Sequence, residues 1–251
     1  MRPNSQSKWI EGDIIEHNNW TNSLASIKIK AKVNPYIAGQ FTRIGLEIDN
    51  EIISRPYSYV SAPSENFLEI IYVKIPGGIL TPKLNKLKPG DKILVNNNAY
   101  GFFIMDEVPK GETLWMLATG TGSGVFISLL KTLEPWKRFK KIIFIHGVRK
   151  KNELTYQNQI SKFSNNYLDK FIYIKSVTRE KINNCLNIRI PDGIKNGIFE
   201  SIAETEISKN SQFMICGNPD MIKDTIINLN LKDIEINRRS KPGNITIEKY
   251  W

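Results

Sequence analysis

Leu114-Trp115-Met116-Leu117-Ala118-Thr119-Gly120-Thr121-Gly122-Ser123-Gly124 decides the fold of the second half of this 251-residue chain. Five consecutive apolar residues read as a strand buried on both faces, as in a parallel sheet. Glycines at every second position then open an apolar, helix-like segment, Val125–Glu134. Strand, glycine turn and helix in that order can cradle an anion. Glycine lets the backbone approach a phosphate closely, and the helix N-terminus offers free N–H groups and a favourable dipole. The pattern is neither G-x-G-x-x-G nor a Walker A loop, because no Gly-Lys-Ser/Thr follows. A merely tight strand–helix turn is the alternative.

Toward the C-terminus the same alternation recurs. Strand-like runs at Ile142–His146, Phe171–Val177 and Gln212–Cys216 alternate with helix-like segments at Glu153–Phe163 and Pro219–Leu229. This predicts a parallel α/β sheet. Ligands of such sheets bind beyond the carboxyl ends of the strands. There the sequence places Thr119–Gly124, Gly147-Val148-Arg149, Thr178-Arg179 and Gly217-Asn218-Pro219, one site assembled from four loops. A sheet that prefers NAD usually offers a carboxylate to the ribose 2′-hydroxyl. Here the loop carries Arg149-Lys150-Lys151, with Glu153 further on, and Arg179 and Arg189 can approach from its neighbours. Planar guanidiniums suit a phosphate, so the expected dinucleotide is NADP(H). His146 reads as a core histidine and Cys185 has no evident role. Cys216 is either a structural thiol or one that packs against a nicotinamide.

Toward the N-terminus the period changes. Short apolar or alternating runs at Leu24–Val33, Phe41–Ile48, Ile52–Ala62, Leu68–Ile75 and Lys92–Val95 are punctuated by Pro35, Gly39, Pro63, Pro76-Gly77-Gly78 and Pro89-Gly90-Asp91. They predict a small antiparallel barrel. The division expected is a barrel over residues 1–105, a linker over 106–112 and an α/β domain over 113–251. Within the barrel, Arg55-Pro56-Tyr57-Ser58 brings a guanidinium, a flat ring and a hydroxyl together on one strand. Alternation puts Arg55 and Tyr57 on one face and Ser58 on the other.

Composition narrows the function. A hydrophobic content of 41% and a charged content of 24% are those of a soluble globular protein. No apolar run approaches the ~20 residues needed to cross a bilayer, and the N-terminus lacks a signal-peptide core, so a cytoplasmic location is expected. Two cysteines cannot ligate an iron–sulfur cluster, and two histidines make a histidine-rich metal site unexpected. Any electrons handled must travel on an organic cofactor or a separate carrier. The formal charge of +10 favours an anionic partner. Basic blocks interleaved with aromatics are missing, which argues against nucleic acid.

The set Arg55-x-Tyr57-Ser58, Thr119-Gly-Thr-Gly, Cys216-Gly-Asn-Pro, and the ending from Arg239-Ser240-Lys241-Pro242-Gly243-Asn244 to Tyr250-Trp251 resembles the bacterial ferredoxin (flavodoxin)–NADP reductases. The resemblance implies an FAD-binding barrel followed by a Rossmann-like NADP-binding domain. It places Arg55 at the FAD phosphates, with Pro56, Tyr57 and Ser58 beside the isoalloxazine and Ser58 near flavin N5. Ile71, Tyr72, Val73 and Lys74 would run along the flavin, and Ile79, Leu80 and Thr81 would hold its pyrophosphate. Tyr250 and Trp251 would pack against FAD, and Thr121 would lie where both cofactors meet. Val148, Arg149, Thr178, Arg179, Arg189, Asn218, Pro219, Asp220 and Asp224 would line the NADP. Ser58 and Cys216 would form the surroundings of the hydride site, and no metal is implied. Ser123-Gly124-Val125 departs from the family, which carries a proline at the first helical turn here.

The function expected is electron transfer between NADPH and an acidic ferredoxin or flavodoxin, with hydride transfer at flavin N5 and one-electron steps to the carrier. Lys8, Lys28 and Lys30 are candidates for steering that carrier, and a monomer without nucleic-acid or membrane partners is expected. A flavin reductase of similar design, or a non-catalytic nucleotide-sensing module, are the competing readings.

Overall fold

Alternation in Ala25-Ser26-Ile27-Lys28-Ile29 leaves Ala25, Ile27 and Ile29 without solvent exposure, and this face anchors an antiparallel sheet. The computed structural model describes residues 8–238 and 240–250. It divides into two units, Met1–Phe102 and Phe103–Trp251.

The first unit is built from β1 (Trp9–Asn19), β2 (Leu24–Lys30), β3 (Phe41–Ile48), β4 (Glu51–Ser58), β5 (Leu68–Val73), the short helix α1 (Thr81–Leu84) and β6 (Lys92–Asn96). Its strand order is β4-β3-β6-β1-β2-β5. Beyond Ser58 the chain changes partners: Tyr59 bridges Ile70, and the Val60 N–H donates to the Glu69 carbonyl at 2.8 Å. The outer strands thus meet, and the sheet becomes the expected barrel. Its interior is filled by Ile14, Ile27, Ile29, Ile44, Tyr59, Ile70, Tyr72 and Val95.

Sequence patterning missed β1, although it is a central strand paired with both β2 and β6. Glu11, Asp13, Glu16 and His17 break its apolar alternation, and a bulge between Ile14 and Glu16 shifts the register. Its acidic face is matched by cross-strand lysines instead: Lys92 lies 3.1 Å from Glu11 and 2.7 Å from Asp13, and Lys28 lies 2.7 Å from Glu16.

The second unit runs β7 (Thr113–Thr119), α2 (Ser123–Leu130), α3 (Glu134–Arg138), β8 (Lys141–Val148), α4 (Gln157–Asn166), β9 (Phe171–Val177), α5 (Ile190–Lys195), α6 (Ile198–Ala203), β10 (Ser211–Gly217), α7 (Pro219–Asn230) and β11 (Ile245–Lys249). All five strands are parallel, in the order β11-β10-β7-β8-β9. This is a doubly wound Rossmann-like sheet whose order reverses between β7 and β10. Trp115, Leu117, Ile143, Ile145, Phe213 and Ile215 cover one face, against Ile190, Phe199 and Ile222 from the helices.

The second unit begins at Phe103, and the segment that leads into β7 is packed against it. Phe103 sits edge-on to Phe126 at 5.6 Å, and the Arg138 guanidinium donates to the carbonyls of Met105, Val108 and Pro109. Helix α4 starts at Gln157 rather than Glu153, after Tyr156 in the left-handed region at φ 58°. Strand β11 and helices α5 and α6 were not anticipated. Among the described residues no helix is long and apolar enough to cross a membrane.

Candidate functional site

Strands β7 and β10 stay paired as far as Ala118 and Cys216, and the loops leaving them touch backbone to backbone. Gly217 has φ 132°, and a Cβ there would stand 2.2 Å from Thr119 Oγ1. Only glycine lets the two loops meet this closely. The Thr119 hydroxyl oxygen accepts the Asn218 N–H at 2.9 Å. Asn218 caps α7, its Oδ1 accepting from the N–H groups of Asp220 (2.9 Å) and Met221 (3.1 Å). Its carbonyl oxygen is therefore committed to the helix; Pro219 opens that helix and Asp220 stands exposed on its first turn. The other loop passes through a 3₁₀ turn, Gly120–Gly122, into α2, with the side chain of Thr121 buried at its centre. Two helices, α2 and α7, thus start from adjacent strand ends at the switch point, the placement an anion site there requires.

The next two strand ends carry Arg149 and Arg179. Their loops are laced together: the Thr178 N–H donates to the Val148 carbonyl at 3.0 Å, its hydroxyl to the same oxygen at 3.2 Å, and the Arg179 N–H to the Arg149 carbonyl at 2.9 Å. Val148 contributes main chain here, since its side chain is buried. Two carboxylates stand close by but are aimed at backbone. Glu153 Oε2 accepts the N–H groups of Arg149 (2.9 Å) and Lys150 (3.1 Å), and Glu180 Oε2 accepts that of Lys151 at 2.8 Å. The Arg149 and Arg179 side chains are exposed, with no hydrogen-bond or ion-pair partner among the described residues. Arg189 differs, lying 3.3 Å from the Asp224 carboxylate in an exposed ion pair.

Cys216 lies at the end of β10, fully buried, with its thiol 4.0 Å from the Glu248 carboxylate on β11. Burial and the adjacent Glu248 push the thiol well above its ordinary range, with the Tyr250 side chain acting in the other direction. It is a neutral thiol, not a nucleophile. The Tyr250 N–H donates to the Gly217 carbonyl at 3.2 Å, which ties the chain's last described residue to the switch point. Sequence reasoning did not single out Glu248; the parallel register of β11 against β10 sets it beside Cys216. Trp251 lies outside the described residues.

His146, fully buried, is held by burial near a pKa of about 4. Its Nδ1 meets the Tyr173 hydroxyl at 3.2 Å, while Nε2 lacks a hydrogen-bond partner. It is a core histidine with one nitrogen unsatisfied.

In the first unit, Arg55 and Tyr57 lie on β4 opposite Ile44 and Thr42 of β3. Arg55 and Pro56 are exposed, Tyr57 is half-buried and Ser58 is buried. The Tyr57 ring meets Tyr72 edge-on at 6.4 Å, and burial pushes its hydroxyl up to about 12. On β5, Tyr72 points into the barrel core and its hydroxyl meets His17 Nε2 at 3.0 Å, so its ring backs Tyr57. Ile71 and Val73 take the other face by alternation. The Lys74 ammonium donates to Asn19 Oδ1 at 2.5 Å and its backbone N–H to the Ser23 carbonyl at 2.8 Å, so both donors are committed to the neighbouring turn. After the Gly77-Gly78 turn, Ile79 is 58% exposed, an apolar side chain offered to a ligand or partner. Leu80 is buried, and Thr81 Oγ1 accepts the Ile75 N–H at 2.9 Å. A guanidinium, a half-buried ring with an aromatic behind it, and an exposed glycine turn suit a flavin with its phosphates. Among the described residues no group of three His, Cys, Asp or Glu side chains could hold a metal.

Residues 13–101 match the oxidoreductase FAD-binding domain model and residues 116–226 the oxidoreductase NAD-binding domain model. The chain is 42% identical over 246 residues to a flavodoxin/ferredoxin–NADP reductase of Buchnera aphidicola subsp. Baizongia pistaciae, covering 97% of this chain and 99% of the relative. It is 41% identical over 245 residues to the Escherichia coli protein of that name, with the same coverage. Among solved structures it is similar to a ferredoxin NADP+ reductase from Neisseria gonorrhoeae with bound FAD and NADP: TM-score 0.91, 33% identity, 97% of this chain and 99% of that one. With both domain models matched in order and such identity held along nearly the whole sequence, this chain belongs to the flavodoxin/ferredoxin–NADP reductase family of oxidoreductases, with FAD and NADP(H) as its cofactors.

Proposed function

We propose that this enzyme passes electrons between NADPH and a small acidic carrier, a ferredoxin or flavodoxin. The observation that carries the preference for NADPH is the state of the strand-end charges. Arg149 and Arg179 are exposed and unpaired among the described residues, while the nearby carboxylates of Glu153 and Glu180 are tied to main-chain N–H groups. A 2′-phosphate is what two such guanidiniums complement.

Bound FAD would supply the redox chemistry, taking a hydride as a pair at N5 and passing electrons on singly. The chain's part is placement. Arg55 would neutralise the FAD phosphates, and Tyr57, braced by Tyr72, would lie against the ring. The Thr119–Gly124 loop and the first turn of α7 would receive the NADP pyrophosphate and nicotinamide arm, with Asn218, Pro219 and Asp220 along it. Arg149, Arg179 and Arg189 would hold the 2′-phosphate, Arg189 exchanging Asp224 for it. Cys216, a neutral thiol, would form part of the wall at the nicotinamide and take no proton. Ser58 would present its hydroxyl near N5. The carrier reading rests on the relatives' names and on the net charge of +10. Lys28 contributes little to steering, being paired with Glu16 at 2.7 Å.

Anaerobic titration of the flavin absorbance tests this. Bands that bleach with NADPH, and poorly with NADH, support it, as does faster turnover with a flavodoxin than with free flavin. Equal bleaching by both nucleotides would remove the role given to the arginines.

A further inference from the structure

His146 plays no part in the placement just described, yet it stands against the dinucleotide loop. It lies on β8 opposite Ala118 of β7, directly below the glycine turn, and no part of it is exposed. Its ring stacks on Phe144 with centroids 5.8 Å apart. The Gln157 side-chain amide donates to the Tyr173 hydroxyl oxygen at 2.8 Å, and that hydroxyl, its proton free to point elsewhere, lies 3.2 Å from His146 Nδ1. With the Tyr173 hydroxyl donating to it, Nδ1 accepts and the ring proton sits on Nε2, the tautomer on which the inference below is built.

Nε2 is buried with no partner in hydrogen-bond geometry, and the Gly120 main chain is the polar group that acts on the ring. The Gly120 carbonyl already accepts from Ser123, from its backbone N–H and from its hydroxyl at 3.0 Å. A buried donor left short of an acceptor is rare and costly in a folded protein. Here it stands behind a loop that a pyrophosphate would draw on. In a trans peptide the C=O and N–H point in opposite directions. A Gly120 carbonyl turned inward therefore turns the Thr121 N–H outward.

We propose that His146 is a positioning residue for the dinucleotide: its Nε2–H takes the Gly120 carbonyl, beside the Ser123 hydroxyl, when the pyrophosphate engages the loop. The Thr121 N–H is thereby held toward the anion. The inference rests on the reading that the Thr119–Gly124 loop receives the pyrophosphate. The pyrophosphate is common to both nicotinamide dinucleotides, so His146 serves both equally, unlike the arginines.

Calorimetry on the FAD-loaded enzyme tests it. His146→Phe should raise the Kd of NADP+ and of NAD+ by the same factor, about three- to tenfold for one hydrogen bond, with flavin content and kcat unchanged. His146→Gln, whose amide nitrogen reaches nearly the position of Nε2, should restore most of the affinity. Unchanged Kd values for His146→Phe, or a loss confined to NADP+, overturn the proposal. On the unmodified protein, 15N NMR of the imidazole should show the Nε2–H tautomer, its proton moving downfield when NADP+ is added. An Nδ1–H tautomer or an unmoved proton overturns it as well, even where His146→Phe fails to fold. Gly120→Ala separates the two readings, because Gly120 has φ 55° and nothing lies within 4 Å of an added Cβ. If it weakens both dinucleotides while His146→Phe does not, only the role of His146 falls. If neither variant changes binding, the reading of the loop falls with it.

Discussion

Arg149 and Arg179 owe their freedom to two glutamates whose oxygens face backbone rather than guanidinium, and that has a measurable consequence. The double substitution Arg149→Ala with Arg179→Ala should raise the KM for NADPH about ten- to hundredfold, as expected for charge-assisted hydrogen bonds. The KM for NADH should stay within about twofold, read by steady-state reduction of a small neutral acceptor. A second expectation concerns the two thiols. Cys216 is buried and held protonated, whereas Cys185 is partly exposed, so iodoacetamide at mildly alkaline pH should label Cys185 and spare Cys216 until the protein unfolds. Peptide mass mapping reads the difference. A third concerns His146, whose native pKa of about 4 lies below the ordinary 6.5. Between those values the unfolded chain binds the proton more readily, so native stability is complete above pH 6.5 and falls as pH drops toward 4. The loss is about 3 kcal/mol at most. His146→Phe should flatten that limb in urea unfolding followed against pH. The arginines were legible in the sequence because they follow buried strands. Glu180 and Glu248 were not, because their roles depend on loop lacing and strand register that no local pattern encodes.

Elements differed in legibility for the same physical reason. Strands β7, β8, β9 and β10 are buried on both faces, so each reads as an unbroken apolar run. Strand β1 is equally central but relies on ladder hydrogen bonds and cross-strand ion pairs, which leave no apolar period to find. Strand β11 is short, and its Thr246 and Glu248 interrupt the apolar residues of an edge strand. Helices α5 and α6 are six residues each, too short for periodicity to register. The missing proline at Ser123-Gly124-Val125 does not prevent the turn, because α2 begins at Ser123 with all eight of its residues buried. Packing supplies what local preference lacks. At the other side of the switch point, Gly217→Ala should cost about 3 kcal/mol or more, since a methyl group would collide with Thr119 and adopt a left-handed backbone. Differential scanning calorimetry would show the drop; an unchanged Tm would refute the close approach.

At the scale of the whole molecule, the proposed function makes the net charge of +10 a field that should draw an acidic carrier from beyond contact range. Raising ionic strength from about 50 to 300 mM, which shortens the screening length below 10 Å, should slow flavodoxin reduction severalfold while leaving turnover with a neutral quinone unchanged. Equal responses would mean that charge does not steer. The two units also differ in how their sheets are wired. In the second, each pairing of β7 with β8 and of β8 with β9 joins strands separated by a single crossover. In the first, β1 lies between β2 and β6, and the Ile14 N–H donates to the Asp91 carbonyl at 2.9 Å. On a ribosome, the first strand to emerge must therefore wait, with one hydrogen-bonding edge bare, until Lys92–Asn96 has left the exit tunnel. A bare edge is where strands of neighbouring nascent chains pair wrongly. The acidic side chains that hid β1 from pattern reading are, during that interval, the charges that keep such chains apart.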